Sequence, residues 1–345
     1  MRDFTIAIVV AVTAAMAVSP GYSEEDAVST QANSSSDMAA PAGRVIIATF
    51  TERPERLADL LLLGESLREF GGRFRDAPIR VYLPQHLMPL DPAVADQFRA
   101  RSMEYRISAA PGDALRFPYA RKVFAAAQAE GEAAGHAETL VWLDEDTIVL
   151  DEPAQFDLPP GMVLGYRPVM HQNIGSLHDA PIDEFWGRIY DKLAVPAAAV
   201  FPMPAVADGT VLRPYFNAGL LVVKPEAEIL RQWARDFPVL YQDSVFVDWC
   251  GADKRKATFL HQAALTGTIL RTVPKAQMTL LSDGYNYPVF FDVLFGANRP
   301  FDSLEGVITM RHEGYFQNPA PDWDTRLKGP ADRIQWLKAH LGPRS

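Results

Sequence analysis

From Val45 onward the chain alternates short, unbroken apolar runs with longer stretches whose apolar residues recur every three or four positions. VIIATF, Val45 to Phe50, is apolar and β-branched nearly throughout, which predicts a strand buried on both faces. Leu57, Leu60, Leu61, Leu67 and Phe70 then fall at helical spacing, and Gly71-Gly72 predicts the stop. PIRVYLP (Pro78 to Pro84), MEYRIS (Met103 to Ser108) and TLVWL (Thr139 to Leu143) read as further strands, with a helix from Phe117 to Glu130 before the last.

Strands that alternate with helices predict a doubly wound α/β sheet covered on both faces. Ligands of such sheets bind beyond the carboxyl ends of the strands, so chemistry is sought just after Phe50 and Leu143. The second half is less regular. Strands are expected within Gly161 to Val169, Tyr215 to Pro225 and Gly306 to Phe316, and helices near Glu228 to Leu240 and Ala257 to Leu265. The Pro- and Ala-rich stretch from Val195 to Ala207 reads as a long surface loop or lid.

The amino terminus changes the picture. Phe4 to Val18 is a 15-residue apolar run followed by small residues, with Ala15-Met16-Ala17 as an A-x-A-like cleavage site. That length suits a signal-peptide core better than a bilayer span of about 20 residues. The expected organisation is a signal peptide or short anchor at 1–19, a disordered tether at 20–43, and one folded domain at 44–341. The domain would then be exported (periplasmic, secreted or lumenal), with membrane contact through residues 4–18 if they stay attached. Asn33-Ser34-Ser35 is a formal glycosylation sequon in the tether. A net charge of −10 excludes a nucleic-acid polymer as the expected partner, because phosphate backbones need a basic surface. The lone Cys250 excludes an intramolecular disulfide and reads as a small buried hydrophobe.

Chemistry concentrates in LDEDTIVLDEP, Leu143 to Pro153. Asp144 and Asp146 stand two apart at the end of an apolar strand, and in extended backbone that spacing points both carboxylates to one face. Two such groups repel unless a cation lies between them, and oxygen ligands of this kind suit Mg²⁺ or Mn²⁺ together with substrate phosphates. The plain alternative is an acidic, solvated turn. YRPVMHQNIGS, Tyr166 to Ser176, is a polar, irregular segment after a strand, and Arg167, His171 and Asn173 are its candidates for binding a ligand. Tyr285 and Tyr287 are candidates for stacking on a ring.

VWLDEDTIVL resembles the VxYLDxDxxV segment of glycosyltransferase family 8, which contains glycogenin and the lipopolysaccharide galactosyltransferases. YFNAGLLVVKP, FLHQAALTG and MRHEGYFQNP follow in the order of that family's FNAG strand, Gln-bearing helix and terminal His segment. The resemblance implies a GT-A fold, a Rossmann-like, mixed but mainly parallel sheet flanked by helices. It further implies transfer of a hexosyl unit from a nucleotide-diphosphate sugar (a UDP-sugar favoured) to a glycan, protein or lipid, with retention of configuration and Mn²⁺ or Mg²⁺ as cofactor. Carried over by position, Asp144, Asp146 and His312 would hold the metal. Asn217 and Gln262 would act at the sugar, Gln262 beneath the anomeric carbon. Ala48, Thr49, Arg121, Lys122, Asp144 and Gly314 would contact the donor. For such a transfer Arg167, His171 and Asn173 become the candidates for holding the acceptor, and Tyr285 or Tyr287 for stacking on a sugar ring.

The sequence departs from the family pattern in places. His261 stands where the family has Asp, Asn318 replaces the diphosphate lysine, Ala320 replaces the tryptophan, and Gly314 follows His312 by two residues instead of three. Arg311 or Lys328 is a candidate for the missing charge. These departures keep open an exported, non-catalytic binder of carbohydrate or nucleotide sugar on the same scaffold. A metal-dependent hydrolase would need a further base that the sequence does not single out.

Overall fold

A computed structural model describes residues 44–289, 301, 303–312, 325 and 327–341. The expected leader and tether, together with Gly314, Asn318, Pro319 and Ala320, lie outside the described residues. The strands are β1 (Val45–Phe50), β2 (Ile79–Pro84), β3 (Met103–Ser108), β4 (Thr139–Asp144), β5 (Thr147–Val149), β6 (Leu164–Pro168), β7 (Met203–Pro204), β8 (Val211–Leu212), β9 (Phe216–Val223), β10 (Met278–Leu280), β11 (Tyr287–Pro288) and β12 (Thr309–Arg311). The α-helices are α1 (Leu57–Phe70), α2 (Pro92–Ala100), α3 (Ala120–Ala133), α4 (Glu184–Lys192), α5 (Ile229–Tyr241), α6 (Ser244–Ala252), α7 (Lys254–Thr272) and α8 (Ala331–Leu341).

Seven strands form one sheet in the order β10-β6-β9-β4-β1-β2-β3. β1 is parallel to β2 and β4, and β2 is parallel to β3, whereas β9 runs antiparallel between β4 and β6. The period-2 geometry of a strand explains why β1 is apolar almost throughout. Ile46, Ala48 and Phe50 face a core containing Val123 of α3, Trp233 of α5 and Leu265 of α7. Val45 and Ile47 face the opposite core, with Leu60, Leu63 and Leu67 of α1 and Phe98 of α2. A smaller sheet, β11-β12-β5, crosses the rim, and its Ile148 and Met310 share a third cluster with Leu337 of α8.

In the first half β1 to β4 and α1 lie where expected, including the stop at Gly71, which caps α1 by donating to Leu67 at 2.9 Å. α2 and β5 were not foreseen, and the helix read from Phe117 to Glu130 is α3 at Ala120–Ala133. The second half departs further from the expected pattern. α7 runs from Lys254 to Thr272 instead of 257–265, because His261, Gln262, Thr266, Gly267 and Thr268 are buried along with the leucines and no polar face marks the ends. The stretch 195–207 is no free lid. Met203, Ala205 and Ala207 are buried, and β7 pairs with β8. Cys250 is buried, as expected, and burial pushes its thiol up to about 11.

Helix packing in this half is tied by charges. Glu130 of α3 is fully buried and accepts from the backbone N–H of Leu230 and Arg231, capping the first turn of α5. Asp243 caps α6 through the Val245 N–H at 3.0 Å and also accepts from Arg188 and Lys192 of α4, both at 2.7 Å. Arg188, then Lys192, hold the Asp243 carboxyl well below the ordinary aspartate value against its partial burial. A depressed carboxyl contributes stability above the unfolded-state value near 3.8, and that contribution is lost as pH falls through the native value. Asp243→Ala is therefore expected to cost roughly 1–2 kcal/mol at pH 7, the size of a lost cap. The gap to wild type should close below the ordinary aspartate range in urea titrations at stepped pH. A deficit undiminished in acid would mean that the charge is not what matters.

Candidate active site

Strand register brings the acidic pair to the mouth of the sheet. Phe50 of β1 is level with Asp144 of β4, so Thr51 and Glu52 share a rim with Glu145. On the other side of β4, Leu143 is level with Leu220 of antiparallel β9, and one step further Gly219 lies against Asp144. A Cβ on Gly219 would sit 2.8 Å from Asp144 Oδ2, 2.9 Å from Asn217 Oδ1 and 3.0 Å from Arg311 Nη1. No side chain larger than hydrogen fits there without displacing them.

The two carboxylates are brought together, and what bridges them is a side chain. Arg311 Nε and Nη2 donate to the two oxygens of Asp146 at 3.1 and 3.3 Å, and Nη2 lies 3.2 Å from Asp144 Oδ2. The other oxygen of Asp144 is in close contact with the Lys122 ammonium, which α3 buries. Burial alone would raise the Asp146 carboxyl, but Arg311 and then His312 outweigh it and hold it at about 2. Glu145, between the pair, is pushed the other way, to about 7, by burial and by Asp144 and Asp146. Its partner is Arg53, at 3.1 Å on the outer side.

His312 is fixed beside the pair by its N–H, which donates to the carbonyl of Asp146 at 3.1 Å. Its Nε2 lies 3.7 Å from Asp59 Oδ1, and Asp59 in turn accepts from Arg56. Burial lowers the His312 pKa, and Asp146 and Asp59 oppose that shift. Oxygen and imidazole donors are the right chemistry for Mn²⁺. As arranged, however, no group of three His, Cys, Asp or Glu side chains among the described residues is placed to hold a metal ion. The guanidinium takes the space between the carboxylates, so the arrangement does not fit the ion.

Beside this rim opens a cavity of about 500 Å³, lined by Glu52, Arg53 and His86 on one side and by Arg116, Phe117 and Arg121 at the start of α3 on the other. Its charge is mostly basic, and Arg121 pairs with Glu52 at 3.2 Å. A second cavity, of about 350 Å³, lies among Asn173, Glu184, Trp249 and Lys256 and shares no residue with the carboxylate rim.

Residues 48–272 match the Rhodobacterales glycosyltransferase domain family. The chain belongs to that family. It is thereby a glycosyltransferase domain. Solved structures with related chain paths include the galactosyltransferase LgtC in complex with donor and acceptor sugar analogs, at 17% identity over 87% of this chain and 97% of that one, TM-score 0.45. Another is the apo form of mouse xyloside xylosyltransferase 1, at 13% identity over 80% of this chain and 99% of that one, TM-score 0.46. None of the curated proteins compared matches the sequence significantly.

The remaining candidates of this glycosyltransferase are placed as follows. Ala48 and Thr49 are fully buried inside β1, so the backbone that reaches the rim is that of Thr51 and Glu52. Asn217 is turned onto its own strand, accepting from the Gly219 N–H at 2.7 Å. Gln262 is buried, against the alternative of an exposed helix position, and accepts from the Ala218 N–H at 3.0 Å, stitching α7 to β9. Arg167 is buried, and its guanidinium donates to Leu281 O at 2.6 Å and Asp283 Oδ1 at 2.7 Å, so it holds the turn after β10. His171 is exposed and Asn173 half-buried with φ +48°. Tyr285 and Tyr287 are both buried, which removes them as open stacking surfaces. Gly314 lies outside the described residues.

Sequence reasoning underrated Arg311, Asp59 and Arg53. Arg53 pairs with Glu145 92 residues on, Arg311 reaches Asp146 165 residues back, and Asp59 meets His312 from the far end of the chain; neither periodicity nor spacing carries that signal. Gly219→Ala is expected to destabilise the fold by about 1–3 kcal/mol, as overpacking does, and to part Asp144 from Arg311. A thermal melt indistinguishable from wild type would show that the close approach is dispensable.

Proposed function

We propose that the rim at Asp144, Asp146, Lys122 and Arg311 holds the diphosphate of a nucleotide sugar, with the nucleoside in the basic cavity beside it. The observation that carries this reading is the coincidence, in a glycosyltransferase family member, of a charge-compensated carboxylate pair at the end of β4 with that cavity. Sheets of this kind bind ligands at this end, and Ala120 and Arg121 at the start of α3 line the cavity.

In such a transfer the bond from the anomeric carbon to the β-phosphate oxygen breaks, an acceptor hydroxyl oxygen takes its place on that carbon, and the hydroxyl proton passes to the departing diphosphate. Negative charge develops on the departing diphosphate, and fixed positive groups beside it lower the barrier. Lys122 and Arg311 are such groups, and Asp144 and Asp146 orient them. Mn²⁺ or Mg²⁺ enters the proposal as an expectation of the family resemblance, and no step above runs through an ion. Retention of anomeric configuration and a glycan, protein or lipid acceptor are carried on the same resemblance, as is a UDP-sugar donor. Export of the domain remains part of the proposal, resting on the apolar run Phe4 to Val18.

Calorimetry with UDP, in chelator and in Mn²⁺, should show saturable one-to-one binding, and a screen of nucleotide sugars should show hydrolysis or transfer for at least one donor. Asp144→Asn is expected to lower that turnover about a hundredfold, comparable to removal of one preorganised transition-state contact. Binding without turnover of any common donor would turn the reading into that of a sugar-nucleotide binder; no binding at all would remove it. Proton NMR of the first-formed product should show the donor's own anomer, and the opposite anomer would end the retaining mechanism.

A further inference from the structure

Arg311 is held where it is by backbone as well as by charge. β12 pairs antiparallel with β5, with Arg311 level with Thr147, and the next residue donates its N–H to the carbonyl of Asp146. Its side chain thus starts one strand away from the carboxylates and spans both. Nε and Nη2 engage Asp146, Nη2 engages Asp144, and Gly219 leaves the room for Nη1. This two-pronged grip is a fit that a planar guanidinium makes and a point charge does not.

The charges match as well among the described residues. Asp144 and Asp146 carry two negative charges, and Lys122 and Arg311 supply two positive ones in direct contact. Glu145 is turned to Arg53, and Arg56 is engaged by Asp59. Adding a divalent ion while both cations stay in place would leave this half-buried rim with two uncompensated positive charges, which is unfavourable away from bulk water.

We propose that Arg311 is the resident cation of the Asp144–Asp146 pair, occupying the position a divalent metal would take, so that Mn²⁺ binds there only by displacing the guanidinium. The inference rests on the reading of this rim as the donor-diphosphate site, and its test uses Mn²⁺ alone so that the two can fail separately. Arg311 lies beyond the residues 48–272 that match the family. It also accounts for how a rim without the usual diphosphate lysine, here Asn318, keeps a positive charge fixed beside the donor.

The experiment is a titration of the full chain with Mn²⁺, following loss of the free-ion electron paramagnetic resonance signal. An ion that must first displace a bound group has its apparent affinity reduced by the fraction of open sites. Arg311→Met is therefore expected to bind Mn²⁺ at least about tenfold more tightly than wild type. The gain should vanish when Asp144→Asn and Asp146→Asn are added to that variant. Arg311→Lys, which keeps the charge but cannot grip both carboxylates in a fork, should fall between and serves if the methionine variant does not fold. Equal affinity in wild type and whichever of these variants folds would overturn the proposal, as would weaker binding after Arg311 is replaced. Either result would leave the nucleotide-binding test unaffected.

Discussion

Two carboxylates cannot be set side by side at a half-buried strand end unless positive charge is built in with them, and the architecture of this chain answers that constraint from three directions. Asp144 and Asp146 arrive on β4 and on the turn that follows it. Lys122 comes from α3 on one side of the sheet, and Arg311 comes from β12, which crosses the rim. Each approach depends on a backbone arrangement with no slack: the register of β4 with β9, the pairing of β12 with β5, and the absence of a side chain at Gly219. A shift of one residue in either ladder would turn a charge into the core and leave its partner unpaired.

The same logic explains why so many polar residues of the second half are buried. Glu130, Asp236, Arg167 and Gln262 lie inside, each bonded to backbone or to an opposite charge. Each joins elements distant in sequence: α3 to α5, α5 to α7, β6 to the turn after β10, and α7 to β9. Removal of one partner would leave a buried donor or acceptor unsatisfied, which is more damaging than never having had the pair. Specific geometry at the rim is therefore supported by polar contacts behind it as much as by apolar packing.

That division also governs what the chain discloses before it is folded. Buried parallel strands write themselves as continuous apolar runs, so β1, β2 and β4 were legible, as was α1 with its leucine stripe and glycine stop. The Asp144/Asp146 pair was legible because its spacing is local. α7 hid its limits because it is buried along most of its length and polar residues stand among the leucines. α4 and α6 went unread because nine residues give too short a sample of helical period, and what defines them is Asp243 gripping Arg188 across 55 residues. Arg167 looked like a binding-loop residue for the same reason: its acceptors, Leu281 and Asp283, are supplied by a turn more than a hundred positions later.

The matched family span ends at residue 272, yet the guanidinium that neutralises the acidic pair is on residue 311. The part of the chain that carries the recognisable acidic and FNAG segments is thus electrostatically incomplete without β12, which follows it. Before β12 docks on β5, Asp146 has lost its nearest counter-charge, and the carboxyl that Arg311 and His312 hold down must either stay hydrated or take up a proton. Apolar contacts of Ile148 and Met310 with Leu337 hold the small sheet from behind while charge pins it in front. A site assembled this way can vary the cation opposite its aspartates by altering one three-residue strand, leaving the sheet that bears the carboxylates unchanged.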